Sequence, residues 1–226
     1  MVFLVLLACC MFVVPARTVL ERWSVSRDYP YQLDIEEGYI LNQAVSIARL
    51  QSIYQPIDSP PWLVGNYPPL FPALFALING DRIGFMSLPA GRMLVQVNVL
   101  ACLLMLGLAV GLCTRRVDLA LLSMFLFMAT YELNQWSAFV RVDFAALMFT
   151  LAGLAVFLRV EHRAGMIVSS LFFTCAIFTK QTALLAPLAC LISLLVTRRH
   201  HAPWFILPGL VVALFLSCCF HVGTDG

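Results

Sequence analysis

The sequence predicts an all-α integral membrane protein with about seven transmembrane helices and two in-plane interfacial helices in its first extracytoplasmic loop. Of the 226 residues, 62% are hydrophobic and only 12% are charged, whereas a soluble domain carries roughly 25% charged residues. The mean hydropathy is +0.91. Apolar runs recur along the chain at lengths close to the roughly 20 residues that a helix needs to cross a bilayer. These observations argue against a water-soluble globule and exclude a disordered chain.

Charge and cysteine content narrow the class further. The chain has 14 Lys and Arg residues against 12 Asp and Glu, a net charge of +2, and it has no basic stripe of the kind that nucleic-acid-binding proteins carry. We therefore expect no nucleic-acid partner. The eight cysteines lie almost entirely in apolar runs, with neither a CxxC pair nor a histidine at metal-binding spacing, which indicates packing residues.

The whole chain, 1–226, is predicted to form a single membrane domain. The apolar runs define seven candidate spans, at 1–15, 94–113, 118–133, 143–159, 165–180, 182–197 and 203–220. Between the first two spans lies a long segment, 16–93, which contains an acidic motif.

The short loops between the spans predict the orientation in the membrane. One set of loops carries six arginines, namely Arg115, Arg116, Arg159, Arg163, Arg198 and Arg199, and the other set carries only Arg141 and Lys180. Because cytoplasmic loops are enriched in Lys and Arg, the first set is expected to be cytoplasmic. Segment 16–93 then lies on the non-cytoplasmic face.

Two stretches of this segment are predicted to be helices lying in the membrane interface. Residues 38–53 place apolar side chains at helical spacing with polar side chains between them, a pattern typical of an interfacial helix. A proline-rich stretch, 55–61, ends it. The apolar stretch 70–79 is too short to span the bilayer and predicts a second interfacial helix.

Acidic and basic residues are expected to meet at the non-cytoplasmic rim. Asp34, Glu36 and Glu37 precede the first interfacial helix, while Arg141, Asp143 and Lys180 lie near the ends of later spans on the same face. Charges near span ends are tolerated but are rarely without a partner. The convergence predicts a site; the alternative is that the acids cap a helix and that the cations are ordinary interfacial anchors.

The motifs in this order resemble a known family. The pattern D-x-E-E-G-Y at 34–39 is followed by Y-P-P-L-F-P at 67–72, R-x-D at 141–143 and F-T-K-Q-T at 178–182. Together they resemble the GT-C superfamily of polyprenyl-phosphate-dependent glycosyltransferases, in particular its protein mannosyltransferase and aminoarabinose transferase branch. The resemblance extends from about residue 30 to 195, and its most specific parts are the loop acids and Tyr67-Pro68-Pro69.

The resemblance implies a membrane module of about seven spans with two in-plane helices in the first loop. It also implies the reaction: a sugar linked to a polyprenyl phosphate enters from the bilayer, and a hydroxyl of a lipid, glycan or protein acceptor attacks the anomeric carbon with inversion. A loop carboxylate takes the hydroxyl proton as general base.

The resemblance implies roles for particular residues. Asp34 or Glu36 is expected to be the base, and Glu37, its neighbour, is expected to belong to the same group of catalytic carboxylates. Arg141 and Lys180 are expected to bind the donor phosphate, whose negative charge grows as it departs.

Three further residues are expected to support the site. Asp143 would orient Arg141. Tyr39 and Tyr67 would either line the sugar pocket or belong to an interfacial aromatic belt, and the belt is slightly favoured.

The sequence departs from the family pattern in two respects. Members of this branch commonly carry an adjacent Asp-Glu pair, whereas here the pair is Glu36-Glu37 with Asp34 two residues upstream, so the identity of the base stays open. The chain is also shorter than such enzymes, and we expect it to represent the front half of one.

Two alternatives remain at this point: a non-catalytic membrane protein, such as a transporter fragment or an assembly subunit, and an inactive truncated relative. A transporter is expected to carry polar or broken helices near mid-membrane, whereas these spans are clean. The expected location is multi-pass in a plasma or inner membrane, or in the endoplasmic reticulum of a eukaryote. No cofactor is assigned with certainty and no residue is assigned as a metal ligand, although a carboxylate cluster can bind a divalent metal.

Overall fold

The computed structural model describes residues 2–223 except 55–57, 59, 61 and 64. It is 81% helical, and the described residues form no strand. The predicted all-α class is therefore confirmed. Most of the proline-rich stretch 55–61 lies outside the described residues.

Ten α-helices follow one another along the described part of the chain. They are α1 (Val2–Asp28), α2 (Ile35–Ala48), α3 (Leu70–Asn79), α4 (Leu88–Thr114), α5 (Val117–Met128), α6 (Tyr131–Trp136), α7 (Asp143–Arg159), α8 (Arg163–Thr179), α9 (Leu185–Thr197) and α10 (Ala202–Gly223). Short 3-10 turns occupy Gly80–Arg82, Phe85–Ser87, Gln181–Leu184 and Arg199–His201.

Two helical segments of the described chain are long and apolar enough to cross a membrane. They are Leu88–Thr114, which is α4, and Arg199–His221, which joins a 3-10 turn to most of α10. The predicted count of seven spans is not confirmed, since several other apolar helices are only 10–17 residues long.

The first helix is longer than the sequence predicted. The expected span 1–15 continues through Pro15 to Asp28, so the segment between α1 and α4 is 29–87 rather than 16–93. The extension follows from its helical pattern: Val19 and Trp23, four residues apart, are buried, while Arg17 Nε and Glu21 Oε1 form an exposed ion pair at 2.6 Å.

The expected span 118–133 is wrong at its end. Helix α5 stops at Met128 and a separate short helix, α6, begins at Tyr131. The Thr130 side chain caps α6 by accepting a hydrogen bond from the Leu133 amide at 3.3 Å, and such a cap starts a new helix.

The two helices expected within the first long loop are both present, with one change of boundary. The second, α3, has the expected bounds, whereas the first, α2, runs from Ile35 to Ala48 rather than over 38–53. Glu36 and Glu37 therefore lie in the first turn of α2, not before it. The helix ends shortly before Leu50, whose φ of +55° is incompatible with a right-handed helix.

One hydrophobic cluster joins α1, α2, α3, α4, α6, α7 and the segment between α6 and α7, and Phe127 of α5 packs against it. Its buried members include Trp23, Ile40, Phe71, Phe75, Val95, Val99, Leu133, Val140 and Phe144. Gly91 permits the close approach of α4, because a Cβ there would lie 2.8 Å from Phe75 and 2.9 Å from Val140. A second cluster joins α8, α9 and the start of α10, through Met166, Phe173, Cys190, Leu194 and Phe205.

Candidate functional site

A buried ion pair joins the start of α2 to the start of α4. The side chains of Glu37 and Arg92 are both fully buried. Arg92 Nε donates to Glu37 Oε1 at 2.9 Å, and Arg92 Nη2 donates to Glu37 Oε2 at 2.8 Å. This bidentate geometry is the strongest that a guanidinium makes with a carboxylate.

The remaining hydrogen-bonding groups of Glu37 are also occupied. The backbone amides of Leu33 and Val140 donate to its carboxylate at 2.7 and 2.9 Å. Glu37 was predicted as one of the catalytic acids, but a fully buried carboxylate that accepts four hydrogen bonds is placed to hold the backbone rather than to take a proton from an acceptor.

The guanidinium of Arg92 also binds the backbone at the end of α1 and just after it. It donates to the carbonyl oxygens of Ser26 at 2.8 Å and Tyr31 at 2.7 Å, and also to that of Tyr29. A buried charge pair is tolerated when its remaining polar groups are satisfied in this way. Sequence reasoning missed Arg92, although one signal was available: a single charged residue at the edge of a long apolar run rarely lacks a partner.

A second, partly exposed cluster is centred on Arg141, which immediately follows Val140. Its Nη2 lies 2.5 Å from Glu36 Oε1, and its Nη1 lies 3.8 Å from Asp34 Oδ2. The guanidinium also lies over the Trp136 ring, 4.1 Å from the ring centroid, where a cation is attracted by the aromatic face.

Asp143 extends this cluster to Lys180. Asp143 Oδ2 lies 3.4 Å from Arg141 Nε, and Asp143 Oδ1 pairs with Lys180 Nζ. Asp143 begins α7 and Lys180 directly follows α8, so the packing of these helices places the two side chains together. The predicted association of Arg141, Asp143 and Lys180 is thus present in the structure.

Tyr67 completes the cluster from the loop before α3. Its hydroxyl donates to Glu36 Oε2 at 2.7 Å, so the two oxygens of Glu36 are bound by Tyr67 and Arg141. Burial raises the pKa of Tyr67, and the hydrogen bond to Glu36 raises it further; the phenol therefore stays protonated and keeps donating. Tyr39, the other tyrosine predicted to support the site, instead lines a separate cavity of about 630 Å³ with Gly38 and Asn42.

The charges of this cluster are nearly balanced. Three carboxylates, those of Asp34, Glu36 and Asp143, surround two cations, and the exposed fractions of the five side chains range from 14% to 35%. Burial alone would lower the pKa of Arg141, but the adjacent carboxylates, Glu36 first, outweigh it and raise that pKa. Arg141 is therefore a permanent cation whose Nε has no hydrogen-bond partner.

A cavity of about 370 Å³ opens beside Arg141 and Asp143. Its other walls are both polar and apolar, and they comprise Phe127, Thr130, Glu132, Trp136, Phe144 and Leu147. The cavity therefore offers charged groups and a hydrophobic surface to the same occupant.

Within the described part of the chain, no group of three or more His, Cys, Asp or Glu side chains is placed to hold a metal ion. The acids of the Arg141 cluster are engaged by cations and by Tyr67 instead.

Comparison with protein-family models, with the curated proteins and with the solved structures finds no match to this chain.

The Glu37–Arg92 pair generates a stability prediction. Replacing Glu37 by Gln leaves the Arg92 charge buried without a counter-charge, and we expect the free energy of unfolding to fall by about 3–5 kcal/mol. The double change Glu37→Leu with Arg92→Met removes both charges, but it leaves the backbone groups that the pair satisfied without partners, so we expect it to recover none of that loss. Thermal unfolding in detergent measures both effects.

The matched control for this experiment is Asp118→Asn, which breaks an ion pair between Arg116 and Asp118 whose side chains are more than 60% exposed. Exposed pairs contribute little to stability, so this variant should unfold like the wild type. Equal destabilisation by Glu37→Gln and Asp118→Asn would contradict the structural role of the buried pair.

Tyr67 generates a prediction about pH. Below about pH 10, the ordinary pKa of tyrosine, the phenol is protonated in both the folded and the unfolded chain, and its contribution to stability is complete. Above that pH the unfolded chain releases the proton while the folded chain retains it, so the contribution is lost as the pH rises through the folded-state pKa.

The melting temperature of wild type should therefore fall more steeply between about pH 9 and pH 11 than that of Tyr67→Phe. Tyr131→Phe, which changes an exposed tyrosine, controls for the loss of one phenol and should follow the wild type. The same slope for wild type and Tyr67→Phe would show that Tyr67 is not held by Glu36 as described.

Proposed function

We propose that this chain is a membrane glycosyltransferase of the GT-C type, which transfers a sugar from a polyprenyl-phosphate donor to an acceptor hydroxyl with inversion. The observation that carries the proposal is the position of the Glu36 carboxylate, held between the Tyr67 hydroxyl and the Arg141 guanidinium. A potential base and a potential phosphate ligand thereby lie in direct contact.

Glu36 is the best-placed general base of the two candidates. Tyr67 and Arg141 fix its carboxylate in one orientation, and a base must be held within hydrogen-bonding reach of the proton that it removes. Each bound oxygen retains a second lone pair. Asp34 lies 3.8 Å from Arg141 and contributes negative charge that keeps the guanidinium in place.

Arg141 and Lys180 are the proposed ligands of the donor phosphate. Arg141 Nη1 lies 3.8 Å from Asp34 Oδ2, beyond hydrogen-bonding distance. The Lys180 ammonium has three donors, of which Asp143 occupies one. Both cations therefore have donors left for phosphate oxygens. Asp143, which contacts both, sets their spacing.

The proposed reaction forms one bond and breaks one. The acceptor oxygen bonds to the anomeric carbon while the bond from that carbon to the phosphate oxygen breaks. The hydroxyl proton passes to Glu36, and the departing lipid phosphate keeps the electron pair, where the two cations stabilise its charge. The acceptor in this scheme is a lipid, a glycan or a protein.

The cavity beside Arg141 suits a donor with a charged head and a hydrocarbon chain. Arg141 and Asp143 form part of its wall, and Phe127, Phe144 and Leu147 form its apolar part. A lipid-linked sugar phosphate can contact both the charged wall with its phosphate and the apolar wall with its hydrocarbon chain. A soluble nucleotide-sugar donor has no hydrocarbon chain to cover the apolar wall.

We further propose a multi-pass membrane location with the site on the non-cytoplasmic face. Large apolar side chains are exposed along α10, including Leu207, Val211, Leu214 and Phe215, at 59% to 71%. A contiguous exposed apolar surface of this kind requires lipid or a partner to cover it. In this proposal the shorter apolar helices beside α4 and α10 make up the rest of about seven spans. The arginine-rich turns support the assignment of their end of the helices to the cytoplasmic side.

Transfer from a labelled polyprenyl-phosphate sugar, measured in membranes, tests the proposal. Glu36→Gln cannot accept the proton, and we expect it to lower the transfer rate by about 10²-fold or more, the usual contribution of a general base. Arg141→Gln should also lower the transfer rate. Asp34→Asn should lower it less, because it removes only a charge that helps to hold Arg141 in place.

Glu21→Gln is the matched control for that assay, because Glu21 is an exposed acid bonded to Arg17 on α1. It should transfer at the wild-type rate. Full transfer by both Glu36→Gln and Asp34→Asn would end the assignment of a loop carboxylate as base and would favour a structural role for the cluster.

A further inference from the structure

The proposed cytoplasmic end of the helices carries a second charged cluster with a different balance. It consists of residues 159–163, which connect α7 to α8, and residues 198–201, which connect α9 to α10; we call it the basic turn pair. It contains Arg159, Arg163, Arg198 and Arg199 with three histidines, against a single acid, Glu161. Unlike the cations of the Arg141 cluster, most of these arginines have no acid to balance them.

Specific contacts hold the two turns together. Arg198 Nη2 donates to Glu161 Oε1 at 2.7 Å, which links the turn after α9 to the turn after α7. Arg163 lies over the Trp204 ring, 5.1 Å from its centroid, and so links the start of α8 to the start of α10. The arrangement is therefore built from both turns and is not a run of basic residues on one flexible loop.

The surroundings of the basic turn pair are apolar and exposed. Val196, in the last turn of α9, is 80% exposed, and Trp204 and Leu207, near the start of α10, are 40% and 59% exposed. Exposed guanidinium groups thus lie directly beside exposed hydrocarbon surface. This combination matches the boundary between phospholipid headgroups and acyl chains, where basic residues attract anionic lipids.

We propose that the basic turn pair binds the phosphate headgroup of an anionic phospholipid, with Arg163 and Arg198 as its principal ligands and the apolar surface of α9 and α10 against its acyl chains. Arginine suits this role because its fork can bind two phosphate oxygens at once. Glu161 opposes binding through its charge while it orients Arg198. The inference does not depend on the glycosyltransferase activity, because it concerns the other end of the helices.

Binding of phosphatidylglycerol to the full chain in detergent, compared with phosphatidylcholine and measured by native mass spectrometry, tests the proposal. We expect the wild type to prefer phosphatidylglycerol. Replacing both Arg163 and Arg198 by Gln should weaken that binding by roughly 25-fold, since one basic residue near an anionic surface contributes about fivefold. Binding of phosphatidylcholine should be unaffected.

Two further variants separate lipid binding from general effects on charge or folding. Arg116→Gln changes an arginine at the turn between α4 and α5 that is already paired with Asp118, and it should bind phosphatidylglycerol nearly as the wild type does. Glu161→Gln removes the single acid of the basic turn pair and should tighten binding by a few fold. Misfolding would not selectively raise the preference for phosphatidylglycerol over phosphatidylcholine, so such an increase would report the removal of the negative charge.

Several results would overturn the proposal. Equal affinity for the two lipids would exclude a headgroup site, and so would equal losses in Arg116→Gln and in the Arg163/Arg198 double variant. Weaker binding by Glu161→Gln would contradict the assigned role of that acid. Displacement of phosphatidylglycerol by an equal concentration of inorganic phosphate would identify a soluble phosphate, rather than a lipid, as the preferred ligand.

Discussion

The buried pair of Glu37 and Arg92 is the interaction on which the rest of the candidate site depends. Consecutive residues on two segments make consecutive contacts: Glu37 accepts a hydrogen bond from the Val140 amide, and Glu36 contacts the Arg141 side chain. The buried contact fixes the register of the backbone, and the exposed contact then follows from it. The Glu37 carboxylate, held by Arg92, accepts the Val140 amide hydrogen bond that places Glu36 next to Arg141.

The two adjacent glutamates in the first turn of α2 differ in burial and therefore in the partners that their carboxylates bind. The Glu37 carboxylate is fully buried and binds Arg92 and two backbone amides. The Glu36 side chain is 25% exposed and contacts Tyr67 and Arg141. A buried charge is tolerated only when its hydrogen-bonding groups are satisfied. The Glu37 oxygens are accordingly occupied by protein donors. A partly exposed charge can exchange its partners, which is why we propose Glu36 rather than Glu37 as the reactive group.

The sequence predicted much of the cluster from the positions of its charged residues relative to the apolar runs. The expectation that the arginine-rich turns share one face placed Asp34, Glu36, Arg141 and Lys180 together on the other, and the structure brings these four into one cluster with Asp143. The bounds of α3 and α7 were also predictable, since each coincides with an apolar run closed by polar or helix-breaking residues.

What the sequence could not predict depends on tertiary packing. Arg92 lies just outside an apolar run, and its role depends on its contact with Glu37, 55 positions earlier in the chain. A contact at that separation is not visible in the sequence. Tyr39 and Tyr67 look equivalent in the sequence, but the rotation of α2 places Tyr39 beside a different cavity. The length of α1 and the break before α6 likewise depend on one packed face and one capping threonine, which a hydropathy profile averages away.

The proposed site requires that the acids of α2 and the guanidinium of Arg141 lie on one side of the membrane. Single cysteines introduced at positions 36, 141 and 163, in a chain whose native cysteines are replaced by serine, can be labelled in sealed vesicles with a maleimide that does not cross the bilayer. We expect positions 36 and 141 to react from one side and position 163 from the other. Labelling of positions 36 and 141 from opposite sides would contradict the account.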